Sequence, residues 1–383
     1  MRVPVPRRLP AGLLSRLAYL LAVCLSVGCA PSLAQADLPT PVAPAETPVW
    51  QPISAGPQTR SPLPTPLPSP SARPSLTPSP APSPTPSAVA GAPPVDPYAG
   101  LSIATLAQRS YGGGLIEIRD MLLDNGRFSR YLISYPSDGL TIYGHMDVPN
   151  EGWDRPLALV LHGYMPTRNY STVTYTERYA AALAESGYFV IHPNFRNHPP
   201  SDSGPDEFRV GFAVDVLNLI AIIREQSQDA LGVLRRADEN QIHLWGHSMG
   251  GGIALRVITV NNQEYLRGAV LYAAMSGEER LNYARIAEWS GGRDASFELA
   301  ASSQDMRAIS PIYHLDRVRT AISIHHGSAD LVVPLAWSDD LCLKLTAAGR
   351  APECYAYAGS PHLLSGPADA LFMQRVLEFF NRV

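Results

Sequence analysis

The sequence lacks the motifs with which proteins commonly hold a catalytic metal. It has neither a His-Glu-x-x-His motif nor a Cys-x-x-Cys pair, and neither His325 nor His326 has a partner at metal-ligand spacing. It also lacks any run of basic residues, and its formal net charge is −4. We therefore expect no catalytic metal, no cofactor and no nucleic-acid partner.

Cysteine is scarce, with four residues in a chain of 383. Two of them, Cys342 and Cys354, lie in the C-terminal part of the chain and are twelve positions apart. In an oxidising compartment such a pair predicts a disulfide. Two buried free thiols are the alternative.

The sequence has no apolar run that would span a bilayer comfortably. The run from Leu17 to Val27 is short, follows four arginines and precedes small residues, which is the layout of a signal peptide over residues 1–28. Cys29 follows Gly28 directly and resembles the acylated cysteine of bacterial lipoproteins, although Ser26 stands where that pattern prefers leucine. The resemblance implies a protein that is anchored to the cell envelope and touches the membrane only through a lipid on Cys29. Plain secretion and an uncleaved membrane anchor are the alternatives.

Residues 29–98 lack the apolar side chains that would offset the entropy cost of ordering them. Proline fills 11 of the 27 positions from 61 to 87, with serine and threonine between. Alternating proline favours extended polyproline II, so we interpret this segment as a disordered, semi-rigid spacer. An interaction motif for proline-binding domains is the alternative.

Residues 99–383 suffice for one α/β domain with a proper core. The segments "LIEIRDML", "FSRYLISYP" and "LTIYGHMDVP" alternate and predict an antiparallel start. Continuous apolar runs such as "PLALVLHG" predict strands buried on both faces, and helical segments separate them. This order predicts a mostly parallel sheet with helices on both faces. Residues 276–313 separate two strands and are expected to cap the site.

One strand-to-helix turn, "GHSMG" at residues 246–250, carries the strongest chemical signal. Gly-x-Ser-x-Gly between a strand and a helix holds a serine hydroxyl clear of the sheet, and its glycines let strand and helix backbones approach closely. The pattern therefore predicts Ser248 as a nucleophile. The alternative is a glycine-rich turn that only packs the helix on the sheet.

A serine needs a histidine base and a carboxylate that orients the base, which in this arrangement follow the serine in the order acid, then histidine. Asp330 and His362 each follow a predicted strand directly, and we expect them to complete a triad with Ser248. Asp294, Asp305 and Asp316 are competing acids that follow no buried strand so closely.

An acyl-transfer site also needs two donors for the developing oxyanion. The amide of Met249, directly after the predicted nucleophile, supplies one. The amide of Tyr164, in the loop after "PLALVLHG", is the expected second donor. The phenol of Tyr164 is the alternative.

The quoted segments resemble the α/β-hydrolase superfamily over residues 115–383, and most of all the catalytic domain of the prolyl oligopeptidase group, which includes acylaminoacyl-peptidase and dipeptidyl-peptidase-like proteins. The segments that carry the resemblance are "YPSDGLTIYGHMDVP", "PLALVLHGY", "HPNFRNH", "IHLWGHSMGGGIALRV", "HHGSADLVVP" and "YAGSPH". The resemblance implies a mostly parallel eight-stranded sheet and the triad Ser248, Asp330 and His362. Two departures are the proline-rich spacer where that group carries a β-propeller, and the missing Arg-Gly pair near Arg196.

These features together predict an exported serine hydrolase that cleaves a small ester or peptide substrate through an acyl-enzyme. The "HGY" and "GHSMGGG" segments are also similar to cutinase-like polyester hydrolases and bacterial lipases, so a carboxylesterase is the first alternative. A non-catalytic surface-binding protein with the same fold is the second.

Overall fold

The computed structural model describes residues 96–292 and 294–383. The predicted signal peptide over 1–28, the acylation of Cys29 and nearly all of the predicted linker over 29–98 lie outside the described residues. The first described element is a 3-10 helix that begins at Ala99. Within the described ranges, no helix is long and apolar enough to cross a membrane.

Nine strands of the described part form one sheet in the order β1-β2-β3-β5-β4-β6-β7-β8-β9. Their bounds are β1 Glu117–Asp124, β2 Phe128–Ser137, β3 Leu140–Pro149, β4 Arg155–Leu161, β5 Phe189–Pro193, β6 Ala237–His247, β7 Leu266–Tyr272, β8 Ala321–Gly327 and β9 Glu353–Tyr357. β1, β2, β3 and β5 pair antiparallel to one another, and every other pair is parallel. The predicted mostly parallel sheet is confirmed.

The sheet has one strand more than the eight that the resemblance implied. The edge strand β1, which the alternation in "LIEIRDML" predicted, pairs with β2, and its eight residues are all exposed. A strand that buries no side chain adds hydrogen bonds but no core, so the core alone does not determine the strand count.

The α-helices of the described part are α1 Ile103–Gln108, α2 Glu177–Glu185, α3 Val210–Gln226, α4 Met249–Val260, α5 Glu279–Ser290, α6 Ser296–Leu299, α7 Ser303–Ile309, α8 Leu335–Ala347 and α9 Gly366–Arg382. Strand β4 explains why they cover both faces. Its Leu157, Leu159 and Leu161 lie in one hydrophobic cluster with α3 and α4, whereas Ala158 and Val160 lie in a second cluster with α2 and α9. Successive side chains of a strand point to opposite faces, so an unbroken apolar run needs helices on both sides.

The segment between β7 and β8 forms α5, α6 and α7, where a cap was expected. Its Tyr283 is buried in the core together with Met275, whereas Trp289 is half exposed. Arg285 of α5 donates to the carbonyl of Leu331 at 3.1 Å, which ties this segment to the loop after β8.

Cys342 of α8 and Cys354 of β9 form the predicted disulfide, with their Cα atoms 6.6 Å apart. α8 connects β8 to β9 and packs back against β8. The bridge therefore links the helix to the edge strand that precedes His362.

Candidate active site

Ser248 lies between the end of β6 and the start of α4, in a backbone conformation that residues other than glycine rarely adopt. Its φ is 56° and its ψ is −116°. Such a conformation costs about 1–3 kcal/mol and persists only where the surroundings enforce it. Here the Ser248 amide donates to the Tyr272 carbonyl at 2.9 Å, and the Ser248 carbonyl accepts from the Met275 amide at 3.0 Å.

The glycines of this turn are required by close backbone contacts. A Cβ atom at Gly250 would collide with the carbonyl oxygen of Leu161 in β4, and a Cβ at Gly246 would collide with the carbonyl of Gly250. The first turn of α4 can therefore pack directly against the neighbouring strand. This packing supports the strained serine at the end of β6.

Asp330 and His362, from the loops after β8 and β9, are brought together by the fold. The Nδ1 of His362 lies 2.6 Å from Oδ2 of Asp330, while the other carboxylate oxygen accepts from the amides of Val332 and Val333 at 2.7 and 2.9 Å. Burial alone would raise the pKa of Asp330. Hydrogen bonds from His326 and His362 outweigh it and hold this pKa well below its usual range. The carboxylate is thus ionised and its acceptor sites are filled.

Of the four candidate acids, Asp330 is the one that accepts a hydrogen bond from His362. Asp305, by contrast, caps the start of α7 through Ser302. Adjacent parallel strands end at the same edge of the sheet, and this explains why the loops after β8 and β9 meet.

His326 is a site residue whose role the sequence did not reveal. Its Nε2 lies 3.0 Å from Oδ2 of Asp330 and 3.0 Å from the carbonyl of Val333, and its Nδ1 lies 2.7 Å from Oγ of Ser338. The hydroxyl of Ser338 donates to Nδ1, so the proton of this imidazole lies on Nε2 and faces Asp330. The neighbouring His325 points away and contacts Ser323 and Tyr357.

Of the two predicted oxyanion donors, Met249 follows Ser248 directly, and Tyr164 lies in a loop that approaches Ser248 closely. As the first residue of α4, Met249 has an amide without an intrahelical acceptor. The loop of Gly163 and Tyr164 approaches so closely that a Cβ at Gly163 would lie 3.1 Å from the Cβ of Ser248. The Nδ1 of His162 lies 2.7 Å from the Gly163 carbonyl, and in a trans peptide the Tyr164 amide then faces the opposite way. The side chain of Tyr164 is 73% exposed.

Arg196, which the resemblance left open as a substrate-positioning residue, is buried in an ion pair. Its Nη2 lies 2.8 Å from Oδ1 of Asp215, and its Nη1 donates to the carbonyl of Pro205 at 2.8 Å. These contacts hold the loop after β5 on α3. They leave the guanidinium no free face toward a substrate.

Two cavities, of about 620 and 410 Å³, lie at the N-terminal ends of β7 and β8, at the opposite ends of the strands from Ser248. Both are lined by Glu264, Arg267 and Arg319, which lie at or just before the starts of β7 and β8. None of the predicted site residues contributes to them. These two cavities therefore lie away from the candidate site, which is formed by the residues that follow the C-terminal ends of β6, β8 and β9.

Residues 156–319 match a family profile described as alpha/beta hydrolase fold. Similar solved structures include a puromycin-hydrolyzing peptidase of Mycobacterium tuberculosis, at 20% identity and a TM-score of 0.54, over 68% of this chain and 40% of that one. An acetyl xylan esterase from a Paenibacillus species is similar at 16% identity and a TM-score of 0.52, over 72% and 91% of the two chains. An esterase from Pyrococcus furiosus is similar at 14% identity and a TM-score of 0.52, over 70% of this chain and 98% of that one.

The chain thus spans less than half the length of the similar peptidase and most of the length of the two esterases. At these identities the likeness concerns the fold. The profile match, the sheet order and these structures agree, and the folded domain of this protein has the α/β-hydrolase fold.

Proposed function

We propose that this α/β hydrolase is an exported serine hydrolase that cleaves ester or peptide bonds through an acyl-enzyme. The observation that carries the proposal is the 2.6 Å contact between His362 Nδ1 and Asp330 Oδ2. It assigns the imidazole proton to Nδ1, and Nε2 is then free to act as a base. A serine in a strained strand-to-helix turn, followed directly by the first amide of α4 at Met249, is the second support.

In the proposed mechanism Oγ of Ser248 attacks the substrate carbonyl while Nε2 of His362 takes the hydroxyl proton. The ionised Asp330 stabilises the resulting imidazolium, and the amides of Met249 and Tyr164 donate to the oxyanion. His362 returns the proton to the leaving alcohol or amine as the acyl-enzyme forms. Water then attacks with His362 again as the base, and the acid product leaves Ser248 free.

The surface around the site favours a carboxylesterase over a peptidase. Leu331 directly follows Asp330 and is 87% exposed, and Leu363 directly follows His362 and is 38% exposed. Tyr164 is 73% exposed and belongs to the loop of Gly163 and Tyr164, which we call the oxyanion loop. Exposed apolar side chains beside the proposed reacting groups favour a substrate with an apolar acyl or alcohol group. Hydrolysis of peptides remains part of the proposal, because the same chemistry serves both bonds.

The test combines a covalent label with a substrate panel. A fluorophosphonate should label the wild-type protein once, at Ser248, and should not label Ser248→Ala. p-Nitrophenyl esters of increasing chain length are then compared with peptide p-nitroanilides, and we expect kcat/KM to be higher for the esters. The Ser248→Ala protein should lose on the order of a millionfold in rate, and Asp330→Asn about ten-thousandfold.

Labelling of wild type and Ser248→Ala to the same extent would contradict the nucleophile. Absence of both labelling and turnover would favour the non-catalytic surface-binding alternative. A higher kcat/KM for the nitroanilides would move the assignment from esterase to peptidase.

Export and lipid anchoring remain part of the proposal on the strength of residues 1–29 alone. In an expression host with a lipoprotein pathway, the wild type is expected in the membrane fraction and Cys29→Ser in the soluble extracytoplasmic fraction. Recovery of both proteins outside the membrane fraction would leave plain secretion.

A further inference from the structure

His247, the residue directly before Ser248, contacts both loops that carry the proposed chemistry. Its Nε2 lies 3.1 Å from the carbonyl oxygen of His362, and its Nδ1 lies 2.6 Å from the hydroxyl of Tyr175. The same hydroxyl accepts from the Gly163 amide at 2.8 Å. Three hydrogen bonds thus connect the oxyanion loop to the loop of the proposed base.

The donors and acceptors of this chain are compatible with one arrangement of protons. The carbonyl oxygen of His362 can only accept, so Nε2 of His247 carries the proton and donates it there. In the neutral imidazole Nδ1 is then an acceptor, and the Tyr175 hydroxyl donates to it while it accepts from the Gly163 amide. Both ring nitrogens of His247 and the Tyr175 hydroxyl then have a hydrogen-bond partner, so the three hydrogen bonds keep one direction.

The surroundings keep this arrangement constant over the pH range in which such enzymes work. Burial, and next the nearby His362, lower the pKa of His247 to about 3, so this imidazole is neutral. Burial raises the pKa of the Tyr175 phenol far above neutrality. The ring of His247 also packs against those of His362 and Tyr272, with centroids 4.6 Å apart in each case.

We infer that Tyr175 and His247 are positioning residues, which hold the oxyanion loop and the proposed base in register with Ser248. The inference rests on the proposed function. Tyr175 orients the backbone at Gly163, one residue before the amide of Tyr164, and His247 holds the main chain from which the His362 imidazole extends. A hydrogen-bonded link between the two loops determines their separation, and a displacement of about 1 Å costs a triad enzyme as much as a hundredfold in rate.

The inference separates these residues from groups that touch the substrate. Loss of the link is expected to lower kcat, because the transition state requires base and oxyanion donors together, and to leave KM nearly unchanged. A residue with a merely structural role would lower the melting temperature without this split between kcat and KM.

Three substitutions and a matched control test the link. Tyr175→Phe removes only the bridging hydroxyl, and His247→Phe removes the donor and the acceptor while keeping a ring. His247→Gln retains one donor and one acceptor at the end of its side chain. Tyr188→Phe is the control, since it removes a partly buried phenol hydroxyl that bonds Asn381, far from the site.

The readouts are kcat and KM on the best ester of the substrate panel, per fluorophosphonate-titrated serine, with thermal melts alongside. We expect Tyr175→Phe and His247→Phe to lower kcat by about tenfold to a hundredfold with KM within about twofold. His247→Gln should recover most of the loss, and Tyr188→Phe should match wild type in kcat.

Wild-type kcat in both Phe variants, or equal damage in His247→Gln and His247→Phe, would overturn the inference. If His247→Phe does not fold, Tyr175→Phe and His247→Gln still decide. Ser248→Ala in the same assay keeps the two proposals apart. If wild type is no faster than Ser248→Ala, the proposed function itself fails; if only the link variants behave like wild type, the link alone fails.

Discussion

The Nε2 of His326 lies 3.0 Å from the Oδ2 of Asp330, so the buried carboxylate of the candidate triad is shared by two imidazoles. The two histidines differ in exposure. His326 is buried and held by Ser338, whereas His362 is partly exposed on the loop after β9. His326 therefore orients the carboxylate, and His362 is the imidazole that a substrate can reach.

His326→Phe is expected to lower kcat by about tenfold to a hundredfold, because a hydrogen bond to a charged group contributes about 1.5–3 kcal/mol. The pKa of Asp330 should rise when this donor is lost, since the bond from His326 favours the ionised form. His325→Phe is the matched control, because His325 is equally buried but contacts Ser323 and Tyr357. Similar kcat values for the two variants would contradict this role.

Replacement of Ser248 by glycine should stabilise the protein relative to replacement by alanine. Both variants lose the hydroxyl, but only glycine adopts φ 56° and ψ −116° without strain. We expect Ser248→Gly to exceed Ser248→Ala by about 1 kcal/mol in the free energy of unfolding. Thermal or denaturant unfolding measures the difference. Equal stability of the two variants would mean that no strain is stored at this residue.

The burial of His243 is expected to lower the free energy of unfolding at acid pH. Both of its ring nitrogens are buried without a hydrogen-bond partner among the described residues, and its ring packs on Phe380 at 4.5 Å. Burial, and next the charge of Arg267, lower its pKa to about 4. An unfolded histidine titrates near about 6.5, so the unfolded state binds the proton first and stability is lost as pH falls from about 6.5 toward 4.

His243→Met should remove part of this loss. From the separation of the two pKa values, the wild type is expected to lose about 3 kcal/mol at this residue by pH 4. The variant should lose correspondingly less between pH 8 and pH 4 in urea unfolding, with its stability at pH 8 as the internal reference. Parallel stability curves for the two proteins would show that His243 does not contribute.

The disulfide between Cys342 and Cys354 closes a short loop, so its contribution to stability should be modest. Cys342→Ser with Cys354→Ser should lower the free energy of unfolding by about 2–3 kcal/mol on the chain-entropy model. Wild type under reducing conditions is the matched comparison and should lose the same amount. A non-reduced digest analysed by mass spectrometry should contain the linked peptide. Free alkylation of both cysteines in protein from the envelope would contradict the bridge.

The α/β fold was predictable because its signals are local. The unbroken apolar run of β4 requires cover on both faces, and the helices that the sequence predicted between the strands supply it. The edge strand β1 was predicted from the alternation in "LIEIRDML", and the sheet has nine strands where the resemblance implied eight.

The site divides in the same way. Ser248 was predictable from five residues, because its strained turn has its own glycine pattern, and Asp330 and His362 from their places after strands. His326, Tyr175 and His247 gave no such signal. Each bonds a partner that is 4 to 115 positions away in the chain. In the sequence, a histidine or tyrosine that only packs in the core cannot be distinguished from one that holds a site residue in place.

The sequence by itself determined the class of fold, the strained serine turn and the order of acid and base, because periodicity and glycine placement act within a few residues. Only the tertiary structure decided that His326 also bonds Asp330, that Arg196 pairs with Asp215, and that Tyr175 and His247 connect the loop of Gly163 to the loop of His362. These pairings depend on which strand ends lie side by side in the sheet. Such contacts span the whole domain, and no local pattern of residues encodes them.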